Sequence, residues 1–337
     1  MAAVHVVVGS GVVGTSVVRA LSGRGAEVVL ITRSGSGPQG PGIRCVSANA
    51  ASVEALVSAA PRAAAVYNCA NPRYHEWARD WPPIASALLD YAERAGAVLA
   101  TCSNLYGYGP VNVPMVETLP LAAPGPKGRI RAQMWLDAMA RHETGRVRVT
   151  EVRGSDYIVA GEQSRVGSAR VMGPLLAGKS VSLIGPLDQP HAWTSPTDVG
   201  RLLVQVATDE RGWGRAWHVP SNPPRTQRQV IDDLADTAGV ARVKVSQVPN
   251  IFLHALGLVN PVMREFGEVA YQFERPYLLD DRAARETFGV EPTPWMEILG
   301  EVVAHYGAPC SERRGAAEPA TVGDATYHLR MSVRECR

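Results

Sequence analysis

The sequence predicts the α/β class: a doubly wound parallel sheet with a smaller, mostly helical C-terminal lobe. Three observations predict it. Short β-branched runs alternate with stretches of helical spacing from Val4 to Val152, the pattern that crossover helices impose on a parallel sheet. The first run passes directly into Gly9-Ser10-Gly11-Val12-Val13-Gly14 and then into a helical stretch. The 337 residues are 46% hydrophobic, enough to bury one large core and a smaller second one.

Val4 to Val8 is the first strand, and the helix after the glycines runs to about Leu21. Gly23-Arg24-Gly25 ends it, and Glu27 to Ile31 forms the second strand, closing a β-α-β unit of about 30 residues. Further strands are expected at Ile43 to Val46, Ala64 to Asn68, Ala97 to Thr101 and Val147 to Val152. Between them Val53 to Ala60, Ile84 to Ala95 and Arg129 to His142 carry apolar residues at helical spacing. The opening unit makes this a Rossmann-type core, assigned to residues 1–180. From Val181 the alternation loosens, and residues 181–308 are expected to form a second lobe with some segments returning to the core. Residues 309–337 have little periodicity and read as a flexible tail.

Composition removes several classes of function. A net charge of +2, from 34 basic and 32 acidic residues without a dense basic run, argues against nucleic acid and leaves a small molecule as the partner. Cys45, Cys69, Cys102, Cys310 and Cys336 are odd in number and contain no C-x-x-C pair, so neither a disulfide framework nor a metal site is expected. No run approaches the roughly 20 apolar residues of a membrane span. The N-terminus lacks the basic start and cleavage pattern of a signal peptide, and a reducing cytoplasm is the expected compartment.

Each glycine of the turn has a task. The first makes the tight bend, the second lets a pyrophosphate approach the backbone, and the third lets the helix pack on the sheet. The helix N-terminus adds open N–H groups and the positive end of its dipole, and a dinucleotide is the ligand this suits. The end of the second strand selects among dinucleotides. An NAD site offers an acid there for the ribose 2′-hydroxyl, whereas this chain reads Leu30-Ile31-Thr32-Arg33-Ser34. Arg33 can pair with a 2′-phosphate and Ser34 can add a hydroxyl contact, so NADP(H) is the expected cofactor. Asn49, Cys69, Ala70, Thr101 and Lys127 complete the set of candidate cofactor contacts.

Ala100-Thr101-Cys102-Ser103-Asn104-Leu105-Tyr106-Gly107, then Glu117-x-x-Pro120 and Pro124, resemble the extended short-chain dehydrogenase/reductase family, the NAD-dependent epimerase/dehydratase group. Arg153-Gly154-Ser155-Asp156-Tyr157 and Ser195-Pro196-Thr197-Asp198-Val199-Gly200 fit the same family in the same order, and the likeness covers roughly residues 4 to 308. The resemblance implies a Tyr-x-x-x-Lys pair, in which the tyrosine exchanges the proton and the lysine lowers its pKa, with a Ser or Thr orienting the carbonyl. The chain has only three lysines, and Ala123, Leu175 and Val240 stand four residues before Lys127, Lys179 and Lys244. Tyr-x-x-x-Lys is therefore absent. By the family's pattern Lys127 falls in the tyrosine slot, Arg131 in the lysine slot and Cys102 in the slot of the orienting residue.

Either the protein binds the dinucleotide without redox chemistry, or it transfers hydride and finds its proton elsewhere. Ser103, Asn104 and Tyr106 after the fifth strand, and Ser155, Asp156 and Tyr157 after the sixth, can hydrogen-bond a substrate carbonyl. A substrate with a phenol beside its ketone could also supply the proton. Tyr157, His191 and Trp193 are candidate substrate contacts. The apolar stretch from Asn250 to Phe273, with Phe252, Met263 and Phe266, suits either a hydrophobic helical lobe packed on the core or a helical lid over a bulky apolar ligand.

An apolar lid, an NADP(H) site and missing proton machinery resemble the atypical ketoreductases of antibiotic biosynthesis, particularly the simocyclinone-type reductases of angucyclinone ketones. The leading expectation is an NADPH-dependent ketoreductase acting on a polycyclic aromatic ketone. The alternatives are a catalytically silent NADP(H) sensor that regulates a partner, and a nucleotide-sugar epimerase or dehydratase.

Overall fold

A computed structural model describes residues 3–248 and 267–307. The first half follows the alternation: β1 (Val4–Val8), α1 (Val12–Ser22), β2 (Glu27–Thr32), β3 (Ile43–Ser47), α2 (Val53–Ala59), β4 (Ala65–Asn68), α3 (Trp77–Ala95), β5 (Val98–Asn104), α4 (Pro126–Glu143) and β6 (Arg148–Gly154). There follow β7 (Asp156–Tyr157), α5 (Ala169–Leu176), β8 (Val181–Leu183), β9 (Trp193–Thr194), α6 (Pro196–Thr208), β10 (Arg215–His218), α7 (Gln227–Ala238) and β11 (Val245–Gln247). The described part closes with helices Tyr271–Glu274, Arg282–Phe288 and Trp295–Gly307. Among these residues no helix is long and apolar enough to cross a membrane.

Seven strands form one parallel sheet in the order β10-β6-β5-β4-β1-β2-β3, the doubly wound architecture the alternation predicts. Side chains alternate between its faces. Val7, Leu30, Ala65 and Ala100 pack with α1 and α6 on one face; Val6, Val8, Ile31, Val66 and Leu99 pack with α2, α3 and α4 on the other. β10, from the C-terminal half, supplies the outermost strand beside β6, so the core extends beyond residue 180. A separate apolar cluster joins α5, α7 and the final helix through Val171, Ile231, Leu234 and Leu299. α3 begins at Trp77, seven residues before the apolar spacing suggests, because Pro82 and Pro83 lie inside it and imitate a helix start. α6 begins where the Ser195-Pro196 pair signals, with Ser195 Oγ accepting from the Thr197 N–H at 3.2 Å and Pro196 in the first turn.

Candidate active site

The order of winding reverses between β1 and β4, and the glycine turn sits at that switch point, at the carboxyl ends of the strands. Gly9 adopts φ +101°, and a Cβ there would lie 2.5 Å from the Cys69 carbonyl oxygen. At Gly14 it would lie 1.9 Å from the Gly9 oxygen, so the α1 backbone touches the turn. At Gly11, the N-cap of α1, nothing comes nearer than Gln163 Oε1 at 3.9 Å. The first turn of α1 contains no acid. Two positions closed to any side chain and one open cradle above unpaired helix N–H groups fit a dinucleotide pyrophosphate.

Arg33 and Ser34 are exposed just beyond β2, and Gly37 folds the loop back onto Leu30 and Ser10. The Arg33 carbonyl accepts from Ser47 Oγ at 2.8 Å, while Ser34 Oγ lies 2.6 Å from Ser36 Oγ. Asn49 is exposed past β3, and its Oδ1 accepts the Ala51 N–H at 3.0 Å. Arg33 and Arg73 both act electrostatically on Asp80 of α3, so two cations border this end of the site.

From Gly11, Val12 and Val13 a cavity of about 220 Å³ runs along the sheet edge. Of the residues expected at the site, Cys69, Ala70, Ser103, Asn104, Tyr106, Arg131 and Tyr157 line it. So do Asn71, Tyr74, Trp77, Gln163, Gln272 and Tyr277, which the sequence reading did not select. The spacing Tyr74-x-x-Trp77-x-x-x-Trp81 was an available signal, since it puts three aromatics on one helical face. Gln163 and Gln272 carry no such signal. Thr101 points to the opposite face of the sheet, with Asn68, Trp135 and Glu151, because neighbouring strand residues alternate.

The residues in the proton-transfer slots have other partners. Lys127 is 3% exposed; its Nζ pairs with Glu268 Oε2 at 3.3 Å and lies 4.5 Å from the centre of the Tyr74 ring. Its backbone N–H donates to Glu268 Oε1 at 2.6 Å, so one carboxylate holds both the side chain and the N-terminus of α4. The Arg131 guanidinium lies 4.7 and 4.3 Å from the Trp77 and Trp81 rings and donates from Nη1 to the Cys102 carbonyl at 3.5 Å. Its Nε is buried without a hydrogen-bond partner. Cys102 Sγ lies 3.6 Å from the Tyr157 hydroxyl. Burial pushes the Tyr157 phenol well up, the Cys102 thiol adds to this, and the charge of Arg131 opposes it.

At the far end of the cavity Asp156 Oδ2 lies 2.9 Å from His191 Nε2, while His191 Nδ1 donates to the Gln272 carbonyl at 3.2 Å. Both ring nitrogens thus face acceptors. Burial raises the Asp156 carboxyl, but the hydrogen bond and charge of His191 and the charge of Arg165 outweigh it and hold the group below the ordinary carboxylate value. His191 is 1% exposed and stacks on Phe273 at 4.6 Å, so Asp156 is the member of the pair that lines the cavity. Trp193 does not line it. The indole is buried in the C-terminal lobe and donates to the Arg225 carbonyl at 2.9 Å. Phe252, Met263, Phe266 and the segment 309–337 lie outside the described residues.

Arg153 and Glu117, from the family-like motifs, brace the site from behind. Arg153 pairs with Glu151 at 2.6 Å and donates to the Tyr108 hydroxyl at 2.7 Å, which meets His218 Nε2 at 2.8 Å. Glu117 Oε1 accepts the His218 N–H at 3.1 Å. This buried chain ties β6, β10 and the loop that carries Tyr106.

A dinucleotide cradle at the switch point of a parallel sheet, opening into a cavity, defines a Rossmann-type fold. Residues 5–219 match the model of the NAD dependent epimerase/dehydratase family, and the chain belongs to that family. No curated protein matches. A UDP-glucose 4-epimerase with UDP-glucose from Thermotoga maritima is similar in structure, with a TM-score of 0.73 and 19% identity over 93% of this chain and 100% of that one. A dTDP-glucose 4,6-dehydratase from Bacillus anthracis in complex with NAD gives 0.71 and 18%, covering 91% and 97%. One from Streptomyces venezuelae with NAD bound gives 0.70 and 20%, covering 94% and 99%. At these identities the likeness is one of fold.

Proposed function

We propose that this protein is an NADPH-dependent ketoreductase that reduces a ketone on a planar polycyclic aromatic compound. One observation carries the reading: the cavity beside the dinucleotide cradle is walled by Tyr74, Trp77, Tyr106, Tyr157 and Tyr277, flat rings that suit a flat ligand. Arg33 at the end of β2, with no acid beside it, supports NADPH. Bound NADPH would supply the hydride. The chain orients the ketone among these rings, and the Asp156 carboxylate can accept a hydrogen bond from a hydroxyl on the same molecule. Loss of NADPH absorbance with α-tetralone, hydroxynaphthoquinone or an angular tetracyclic ketone tests the reading. No turnover of any of the three by NADPH-loaded protein would overturn it.

Two other readings each have an observation in their favour. Fold likeness to a UDP-glucose 4-epimerase and a dTDP-glucose 4,6-dehydratase favours a nucleotide-sugar reaction, and tightly held NAD released from the purified protein would support it. The pairing of Lys127 with Glu268 favours a silent NADP(H) sensor. That reading requires cofactor binding, no ketone turnover, and a partner captured according to the NADP+/NADPH ratio.

A further inference from the structure

We propose that Tyr157 is the proton donor of this site and that Arg131 is the cation that stabilises the phenolate left behind. The inference rests on the ketoreductase reading. The Tyr157 hydroxyl lies 3.6 Å from Cys102 Sγ, and the carbonyl of the same cysteine lies 3.5 Å from Arg131 Nη1, so phenol and guanidinium meet around one residue of β5. All three line the cavity. Arg131 is 7% exposed, its Nε has no hydrogen-bond partner, and its charge acts on the Tyr157 phenol.

The backbone that carries the phenol is also held in place. The β7–β9 pairing sets Tyr157 opposite Thr194, and the Tyr157 carbonyl accepts from Ser164 Oγ at 2.8 Å. The competing donors are engaged elsewhere. Lys127 pairs with Glu268, and Tyr106 interacts with Tyr74 and Gln272. As hydride reaches the carbonyl carbon from the reduced cofactor, the C=O π pair moves onto oxygen. That oxygen takes the Tyr157 proton, giving the alcohol and a phenolate beside Arg131, and water reprotonates the phenolate after product leaves. The family's phenol–cation pair is thus reassembled from two elements, with the phenol on β7 and the cation on α4.

Tyr157→Phe removes one oxygen and keeps the ring, so a urea midpoint near that of the native protein is expected. The variant should bind NADPH as the native protein does and lose about 100-fold or more of kcat with whichever of α-tetralone, hydroxynaphthoquinone and the angular tetracyclic ketone is turned over. Arg131→Lys, which keeps the charge, should retain more activity than Arg131→Met. A readout without turnover uses tryptophan fluorescence of the cofactor-free protein. α-Tetralone should bind about fivefold to tenfold tighter than the hydrocarbon tetralin, and Tyr157→Phe should erase that preference. If Tyr157→Phe keeps kcat within about tenfold and keeps the preference, Tyr157 is not the donor while the ketoreductase reading stands. If the native protein reduces none of the three ketones, that reading fails and this inference falls with it.

Discussion

Lys127→Met tests whether the cation in the tyrosine slot performs chemistry or only holds structure. The lysine side chain is 4% exposed and its Glu268 partner 16%, so the substitution strands a largely buried carboxylate. Breaking a buried pair from one side costs about 3–5 kcal/mol. Here Glu268 keeps its 2.6 Å bond from the backbone N–H of residue 127 and its seat at the start of α4. That charge-assisted bond and the helix dipole place the expected loss at the lower end, about 3 kcal/mol. A domain with about 5–15 kcal/mol of stability remains folded after such a loss. The double variant Lys127→Met/Glu268→Gln should recover at least half of it, because the neutral amide no longer needs a cation. Urea denaturation gives the stabilities, and NADPH oxidation with a reducible aromatic ketone gives the rates. Turnover should fall less than about tenfold in both variants, against about a hundredfold to ten-thousandfold for loss of a general acid. A thousandfold fall in kcat with a stability loss below about 1 kcal/mol would refute the reasoning and assign the proton to Lys127.

Arg33→Ala should weaken NADPH binding and leave NADH binding unchanged in fluorescence titrations; equal losses would remove the argument for a 2′-phosphate contact. Gly14→Ala sets a methyl group 1.9 Å from the Gly9 oxygen, and the backbone contact leaves no side chain to yield. It should cost about 1–3 kcal/mol despite alanine's better helix propensity and abolish measurable cofactor binding, checked by urea melts and NADPH titration. The depressed Asp156 carboxyl adds stability that is fully present above its ordinary value of 3.8 and is lost as pH falls through the lower folded value. The stability gap between the native protein and Asp156→Asn should therefore close as pH falls below about 3.8; a gap unchanged down to the acid transition would contradict the pairing.

The parts of this site that local chemistry controls were legible before the structure. Val4 to Val8, the three glycines and the helix after them occupy one stretch of chain, and their tasks follow from backbone sterics and helix N–H groups alone. Tertiary closure controls the rest. Lys127 meets Glu268 across 141 residues, and Asp156 meets His191 across 35, contacts that no periodicity encodes. Arg215–His218 joins the sheet as a four-residue edge beside β6, too short to separate from the turns around it. An aromatic next to a histidine suits a ligand as well as a core, and the buried Trp193 indole, donating to the Arg225 carbonyl, packs in the C-terminal lobe.

The three departures from the family pattern support one another physically. A lysine in the first turn of a helix meets the positive end of the dipole, and Lys127 is tolerated there because Glu268 neutralises it and accepts the first-turn N–H. Glu268 comes from a segment far along the chain, so the buried charge of Lys127 depends on that packing. Arg131, one helical turn on, sets its guanidinium 4.7 and 4.3 Å from the Trp77 and Trp81 ring centres, a cation–π contact with each indole. Cys102 completes the set by supplying the carbonyl that Arg131 meets and the thiol that Tyr157 meets. The tyrosine slot is thus a structural ion pair, and the cation beside it faces a different phenol. The cradle from Gly9 to Gly14 depends on none of these changes, so the fold keeps that turn whichever residue of the cavity donates the proton.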